Sequence, residues 1–173
     1  MNSGKACTQL QVHSNAQYLT ALTVPMECQP VKFSDCSCLD CIPPKPGWYF
    51  IKTNTSISQF ENVGPSTVKG HKDIPGCIEF TKDLKNHGLD IISQSNGMRV
   101  VYNGEAESLR KRAKEHFFGK PGAYCLGIGD YPTWESNNWE FCFIKSPTKD
   151  KALRLYGEQL WRAVNGWPIL CKR

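Results

Sequence analysis

Residues 100–120 read VVYNGEAESLRKRAKEHFFGK, and this stretch decides the interpretation of the fold. The apolar residues 100–102 predict the end of a strand, and the Asn103-Gly104 pair after them predicts a tight turn. Residues 105–118 predict a helix, because their apolar residues recur at helical spacing. The sequence therefore places a short strand directly before a helix that is dense in Lys and Arg.

Two cationic side chains of this helix stand at the edge of its apolar face. Leu109, Ala113 and Phe117 share one face, and Arg112 and His116 lie beside that face, one turn apart. One interpretation is structural, with an arginine that packs its stem on the core and a histidine with an ordinary hydrogen-bond partner. The other interpretation is one wall of a cleft that binds an anion such as a phosphate.

The rest of the chain predicts a small α/β fold, of the layered α+β kind. Strands are expected at residues 47–52, 98–102, 122–129 and 138–146, and helices within 74–88, at 105–118 and up to about Val164. The last helix carries an apolar stripe of Leu153, Tyr156, Leu160 and Val164. The order strand, insertion, strand, helix, strand, strand, helix is typical of a sheet flanked by helices.

The proline-rich segment CIPPKPG, residues 41–47, marks a boundary between two parts of the chain. Residues 1–46 are predicted to form an N-terminal extension, and residues 47–173 a second unit with a long insertion at 53–97. The most basic part of the insertion, residues 66–73, predicts either a solvated loop or a contact to a phosphate backbone.

Composition limits the classes of function. With 173 residues, 40% of them hydrophobic, the chain can bury a core, and a net charge of +5 permits a polyanionic partner without requiring one. No run of 18 apolar residues occurs, so a membrane span is not expected. The first residues lack an apolar signal segment, which predicts a cytoplasmic protein whose nine cysteines are mostly reduced.

Four cysteines are concentrated in ECQPVKFSDCSCLDC, residues 27–41. Tetrahedral zinc takes four thiolates readily, and a short extension with little core needs such a staple. The sequence therefore predicts a structural zinc site at Cys28, Cys36, Cys38 and Cys41. Cys7 and His13 are alternative ligands, and free thiols on a loop are the alternative to any metal site.

Three segments together resemble the GIY-YIG nuclease family: GWYFI at 47–51, VYNG at 101–104 and SLRKRAKEHF at 108–117. The resemblance matches Tyr49 and Tyr102 to the tyrosines of the two family tripeptides, and Arg112 and His116 to the arginine and histidine of the family helix. Glu158, on the last helix, matches the family glutamate. The implied fold is a small, mostly antiparallel sheet flanked by helices.

The chain departs from the family pattern at several positions. Trp48 and Asn103 replace the central Ile of the two tripeptides, and the insertion makes the spacer between them unusually long. Where the family often has an asparagine after the last helix, this chain has Cys171, whereas Asn165 precedes Pro168.

The resemblance implies a Mg²⁺- or Mn²⁺-dependent endonuclease of the restriction or phage type, acting on double-stranded DNA. Glu158 would hold the metal, Arg112 would bind a phosphate oxygen, Tyr49 or Tyr102 would take a proton from water, and His116 would share the proton relay. Cations near a tyrosine are expected to lower its pKa from about 10.

Other interpretations of the same residues stay open. Glu158 lies four residues from both Arg154 and Arg162, as in an exposed ladder of salt bridges. Tyr49 and Tyr102 are also typical of core tyrosines. The alternative functions are a catalytically inactive nucleic-acid-binding module on the same fold and a zinc-stapled protein-interaction domain.

Overall fold

The computed structural model describes residues 26–92, 97–119 and 123–172. This part of the chain is a mixed α/β structure, with one open antiparallel sheet of four strands in the order β1-β4-β2-β3. The strands are β1 (Glu27–Pro30), β2 (Gly47–Thr53), β3 (Arg99–Ala106) and β4 (Trp139–Lys145).

Four α-helices accompany the sheet in the described residues: α1 (Ile57–Glu61), α2 (Ile74–Asn86), α3 (Leu109–Phe118) and α4 (Lys151–Asn165). Ser108 caps α3, since its side chain accepts a hydrogen bond from the Lys111 N–H. The helix ends at Gly119, where a φ of +70° favours glycine. No helix in these ranges is both long enough and apolar enough to cross a bilayer.

The central strand β2 joins two hydrophobic clusters. Tyr49 and Ile51 belong to the larger cluster, which also holds the apolar face of α3. Trp48 and Phe50 belong to the smaller one, where the ring centroids of Phe50 and of Trp161 on α4 lie 4.8 Å apart. The alternation of β2 side chains therefore places α3 and α4 against different clusters.

The predicted turn at Asn103-Gly104 is wrong. Strand β3 continues through both residues to Ala106, because Asn103 pairs with Phe50 and Gly104 pairs with Tyr49. The backbone N–H and C=O groups of this segment pair with β2 in the sheet, so the chain does not turn here. Helix α3 consequently begins at Leu109, four residues later than predicted.

The insertion and the described end of the N-terminal extension both contribute to the main core. Phe60, Ile74 and Ile78 of the insertion are buried in it, as are Leu39 and Ile42 of the extension. Strand β1 of the extension pairs with β4 through all four of its residues. The sheet thus includes a strand that the sequence did not predict.

The strand predicted at residues 122–129 is also wrong over its described residues, 123–129. Cys125 forms a single parallel bridge with His71, and Ile128–Asp130 form a short 3₁₀-helix. The apolar residues Leu126 and Ile128 of this segment are nevertheless fully buried, without strand partners in the described sheet.

Candidate active site

The hydroxyl oxygen of Tyr49 lies at the centre of the candidate site. It is 3.2 Å from Nε of Arg112 and 2.9 Å from Nε2 of His116. Tyr49 is almost fully buried on β2, and the two partners project from adjacent turns of α3. Packing of α3 through Leu109, Ala113 and Phe117 brings both side chains to the same oxygen.

The protonation of His116 follows from its partners. The Leu126 N–H donates to Nδ1 over 3.1 Å, and His116 is fully buried. Burial, and then the charges of Arg112 and Lys72, lower the pKa of His116 well below its usual value. The imidazole is therefore neutral with its hydrogen on Nε2, so Tyr49 accepts hydrogen bonds from both Arg112 and His116. The tyrosine hydrogen remains available to a third group.

Gly104 allows the close approach of Tyr49 to β3. A Cβ at this position would lie 2.6 Å from Cζ of Tyr49 and would collide with its hydroxyl oxygen. The cross-strand pairing of Tyr49 with Gly104 fixes this contact. A glycine is therefore required at position 104 by the position of the Tyr49 side chain.

Tyr102 forms the neighbouring wall of the site. Its ring centroid lies 6.1 Å from that of Tyr49 and 5.0 Å from that of His116. Burial raises the pKa of Tyr102 well above its usual value. Lys72, from the insertion, places its Nζ 5.1 Å from the Tyr102 ring centroid, which is the distance of a cation–π contact.

The predicted direction of the tyrosine pKa shift is wrong for both tyrosines. Burial raises the pKa of Tyr49 to about 12, although the charge and hydrogen bond of Arg112 oppose this shift. Desolvation outweighs the cation because the phenolate would lose nearly all of its hydration. The hydroxyl of Tyr49 is therefore protonated at neutral pH in the free protein.

Arg112 is held in place by several partners. Its guanidinium bonds the Tyr49 oxygen, pairs with Glu115 at 3.0 Å and donates to the backbone carbonyl of Tyr124. The side chain remains 20% exposed. This combination of fixed orientation and partial exposure suits an anion-binding group at the edge of a cleft.

Glu158 is buried on α4 and does not form the exposed ladder that was the alternative. It pairs with Arg162, whose Nε donates to Oδ1 of Asn103 over 2.8 Å. Arg154 pairs instead with Glu105 of β3, at 2.9 Å. Burial raises the pKa of Glu158, and the charge of Glu158 in turn raises the pKa of both Tyr49 and Tyr102.

The predicted apolar stripe of α4 is wrong at Tyr156 and Val164, whereas Leu153 packs against the smaller cluster and Leu160 is half-buried. Tyr156 and Val164 are 47% and 70% exposed, while Arg154, Glu158 and Arg162 are buried with Gly157 and Trp161. Gly157 allows this packing, since a Cβ there would lie 2.8 Å from Nε1 of Trp48. The polar face of α4 is buried because β3 supplies partners for two of its arginines.

Cys171 occupies a place beside the site that a polar side chain was expected to fill. Its sulfur lies 3.4 Å from Oδ1 of Asn103, and burial raises the pKa of its thiol to about 11. Asn165 is exposed at the end of α4 and donates to the Trp161 carbonyl. A neutral thiol, rather than an amide, therefore contacts Asn103 here.

The predicted zinc set requires a correction at Cys28. Cys28 forms a disulfide with Cys142, its direct partner across β1 and β4, and Cys36, Cys38 and Cys41 are free. Among the described residues, one group of three or more potential metal ligands lies within 4.8 Å, and it consists of Cys28, Glu140 and Cys142. Two of these are the disulfide, so the group does not fit zinc. Cys7 and His13 lie outside the described residues.

Sequence reasoning did not place three charged groups near the site: Glu105, Arg162 and Lys72, which it had considered only as part of the basic segment 66–73. Arg162 had a local signal, its spacing of four residues from Glu158. Lys72 and Glu105 reach the site through the fold of the insertion and the continuation of β3. Comparisons with protein-family models, with curated proteins and with solved structures find no match to this chain.

Proposed function

We propose that this protein is a divalent-metal-dependent endonuclease that hydrolyses phosphodiester bonds of double-stranded DNA on a GIY-YIG-like fold. One observation carries the proposal: a buried tyrosine oxygen accepts hydrogen bonds from a guanidinium and a neutral imidazole, within the electrostatic reach of a buried glutamate. A compact chain with recognition and cleavage in one unit suits a restriction or phage-type enzyme.

Tyr49 is the group we assign to proton transfer from the attacking water. Two N–H donors at its oxygen stabilise the phenolate more than the phenol, so they favour a state in which the proton has left. Neither of these hydrogen bonds uses the hydroxyl hydrogen. Because Tyr49 is protonated in the free protein, this hydrogen must first leave to a solvent water, and the phenolate that remains then takes the proton of the attacking water. Tyr102 lines the site, and its phenol stays protonated.

Arg112 is the cation that we assign to the phosphate that is hydrolysed. The guanidinium of Arg112 matches the geometry of two phosphate oxygens, and its orientation is fixed by Tyr49, Glu115 and the Tyr124 carbonyl. Preorganised cations stabilise the charge that develops on a phosphoryl group during hydrolysis.

Glu158 fits a hard divalent cation such as Mg²⁺, or Mn²⁺ in its place. A carboxylate offers about four lone-pair sites, so the pairing with Arg162 does not exhaust it. Mg²⁺ needs only one or two protein carboxylates, and Glu105 lies near enough for its charge to raise the pKa of Glu158. When bound, the metal would supply charge stabilisation at the phosphate and leaving oxygens.

The test is cleavage of supercoiled plasmid DNA with Mg²⁺, with and without EDTA. We expect cleavage by the wild-type protein, none with EDTA, and a loss on the order of 100-fold or more for Glu158→Ala. Glu79→Ala is the matched control, since Glu79 is an exposed glutamate on α2. No cleavage by the wild type, or equal cleavage by Glu158→Ala, would remove the enzyme proposal.

The second candidate is a catalytically inactive DNA-binding module on the same fold. The buried ion pair of Glu158 with Arg162 favours it, because such a pair also serves a purely structural role. In this case the protein would shift a labelled duplex in a gel with Mg²⁺ present and leave it uncut. The shift would weaken with added salt, as phosphate binding must.

A further inference from the structure

A pocket lies beside the candidate active site. Its volume is about 500 Å³, and it is lined by His71, Lys72, Asp73, Cys77, Tyr124 and Lys172. The lining comes from three separate parts of the chain: the insertion, the segment after α3 and the C-terminal residues. None of these residues belongs to the matched segments that carry the family resemblance.

Lys72 connects this pocket to Tyr102, the neighbour of Tyr49 in the candidate site. Its Nζ lies 5.1 Å from the ring centroid of Tyr102 and 5.8 Å from that of Tyr124. Arg112 makes a second connection, because its guanidinium donates to the backbone carbonyl of Tyr124. Lys72 and Tyr124, which line the pocket, therefore contact the two candidate-site residues Tyr102 and Arg112.

The position of Lys72 is set by the backbone around it. The Lys72 N–H donates to the Cys125 carbonyl over 2.8 Å, and His71 forms a bridge with Cys125. The side chain of His71 is 2% exposed and lies 2.6 Å from Asp130, which holds this part of the insertion against the segment after α3. These contacts fix the backbone from which the Lys72 side chain extends.

The chemistry of the lining matches a nucleotide. Lys72 and Lys172 provide two ammonium groups against the single carboxylate of Asp73, so the pocket favours an anion. The ring of Tyr124 is 75% exposed, and an exposed ring beside cations is the usual platform for a nucleic-acid base.

We propose that this pocket is a nucleotide-binding subsite for one nucleotide, next to the cleaved phosphate, that is flipped out of the DNA duplex. Lys72 and Lys172 bind its phosphate, and the base stacks on Tyr124. The inference rests on the proposed function for the identity of the strand. It adds a role for the insertion, which places recognition directly beside cleavage.

The test measures binding of the full chain to fluorescein-labelled single strands in EDTA, where no cleavage interferes. One probe is a short thymidine strand, and the other is an abasic strand of the same length. Tyr124→Ala should weaken binding of the thymidine strand by roughly 5- to 100-fold and leave binding of the abasic strand unchanged, because only stacking is removed. Tyr124→Trp should restore the loss.

Lys72→Ala should weaken binding of both strands and reduce the dependence of affinity on salt. Lys72→Arg keeps the positive charge and should retain most of the wild-type affinity. Lys85→Ala is the matched control, since it removes an exposed lysine elsewhere in the insertion. Thermal unfolding of each variant verifies that it is folded.

The subsite is refuted if Tyr124→Ala binds both strands as the wild type does, or if Lys72→Ala loses no more than Lys85→Ala. Plasmid cleavage separates this failure from that of the enzyme. A wild type that cuts, with no effect of Tyr124→Ala on binding, removes the subsite alone. A wild type that binds through Tyr124 and never cuts removes the enzyme alone.

Discussion

His116 is a buried side chain whose charge state differs between the folded and unfolded protein. Its folded pKa lies well below the usual value, chiefly because of burial. Below about pH 6.5 the unfolded chain takes up a proton here that the folded protein does not. Stability that is present above this pH is therefore lost as the pH falls. We expect a slope approaching about 1.4 kcal/mol per pH unit from this residue.

Urea unfolding at about pH 7.5 and about pH 5.5 measures this effect. His116→Gln should be less sensitive to the drop in pH than the wild type, and His87→Gln, which changes an exposed histidine, should match the wild type. Glu158 contributes with the opposite sign, since its raised pKa makes the folded state the better proton binder. Comparing variants at equal pH cancels that contribution. Identical pH dependence of the wild type and His116→Gln would contradict a lowered pKa of His116 in the folded protein.

The helical spacing of residues predicted that Arg112 and His116 lie side by side, but it did not predict the pKa of Tyr49. Leu109, Ala113 and Phe117 of α3 are fully buried, and Arg112 and His116, which lie beside them on the helix, both reach the Tyr49 oxygen. The pKa of Tyr49 depends on how completely water is excluded, which is a property of packing from four strands and the surrounding segments.

At the scale of elements, α3 and α4 show when an apolar pattern is a reliable guide. In α3 the apolar face is also the buried face. In α4 the apolar residues Leu155, Tyr156 and Val164 are exposed, and the charged residues Arg154, Glu158 and Arg162 are buried. The difference lies in β3, where Glu105 and Asn103 bind Arg154 and Arg162. A pattern within one element cannot reveal partners that another element supplies.

The pairing of β2 with β3 predicts the effect of Gly104→Ala. The added Cβ would overlap the Tyr49 hydroxyl and displace the ring from Arg112 and His116. We expect destabilisation of about 1–3 kcal/mol from overpacking. If Tyr49 acts in the reaction, DNA cleavage should fall further, on the order of 100-fold for a displacement of about 1 Å.

Gly64→Ala is the control for this substitution, because no atom lies within 4 Å of a Cβ at Gly64. Plasmid cleavage under conditions where both variants are folded, verified by urea unfolding, separates loss of activity from loss of stability. Wild-type cleavage by a folded Gly104→Ala protein would show that the contact between Gly104 and Tyr49 has no role in catalysis.

At the scale of the whole molecule, the sequence predicted a sheet flanked by helices but not its full membership. Strand β1 comes from the extension and pairs with β4, more than 100 residues later in the chain. Its four residues, ECQP, have no apolar alternation, so only the exposed edge of β4 explains their conformation. Long-range pairings of this kind lie beyond local patterns.

The Cys28–Cys142 disulfide joins the two strands of this long-range pairing across 114 residues. A crosslink that closes so long a loop restricts the unfolded chain, and its reduction should lower the free energy of unfolding by about 2–4 kcal/mol. Urea unfolding with and without dithiothreitol gives this difference. Cys28→Ser should show the same loss without reductant and no further change with it, whereas Cys36→Ser, which alters a free exposed cysteine, should respond as the wild type does. If reductant leaves the wild type unchanged, the hydrogen bonds of β1 with β4 hold the extension on the sheet without help from the crosslink.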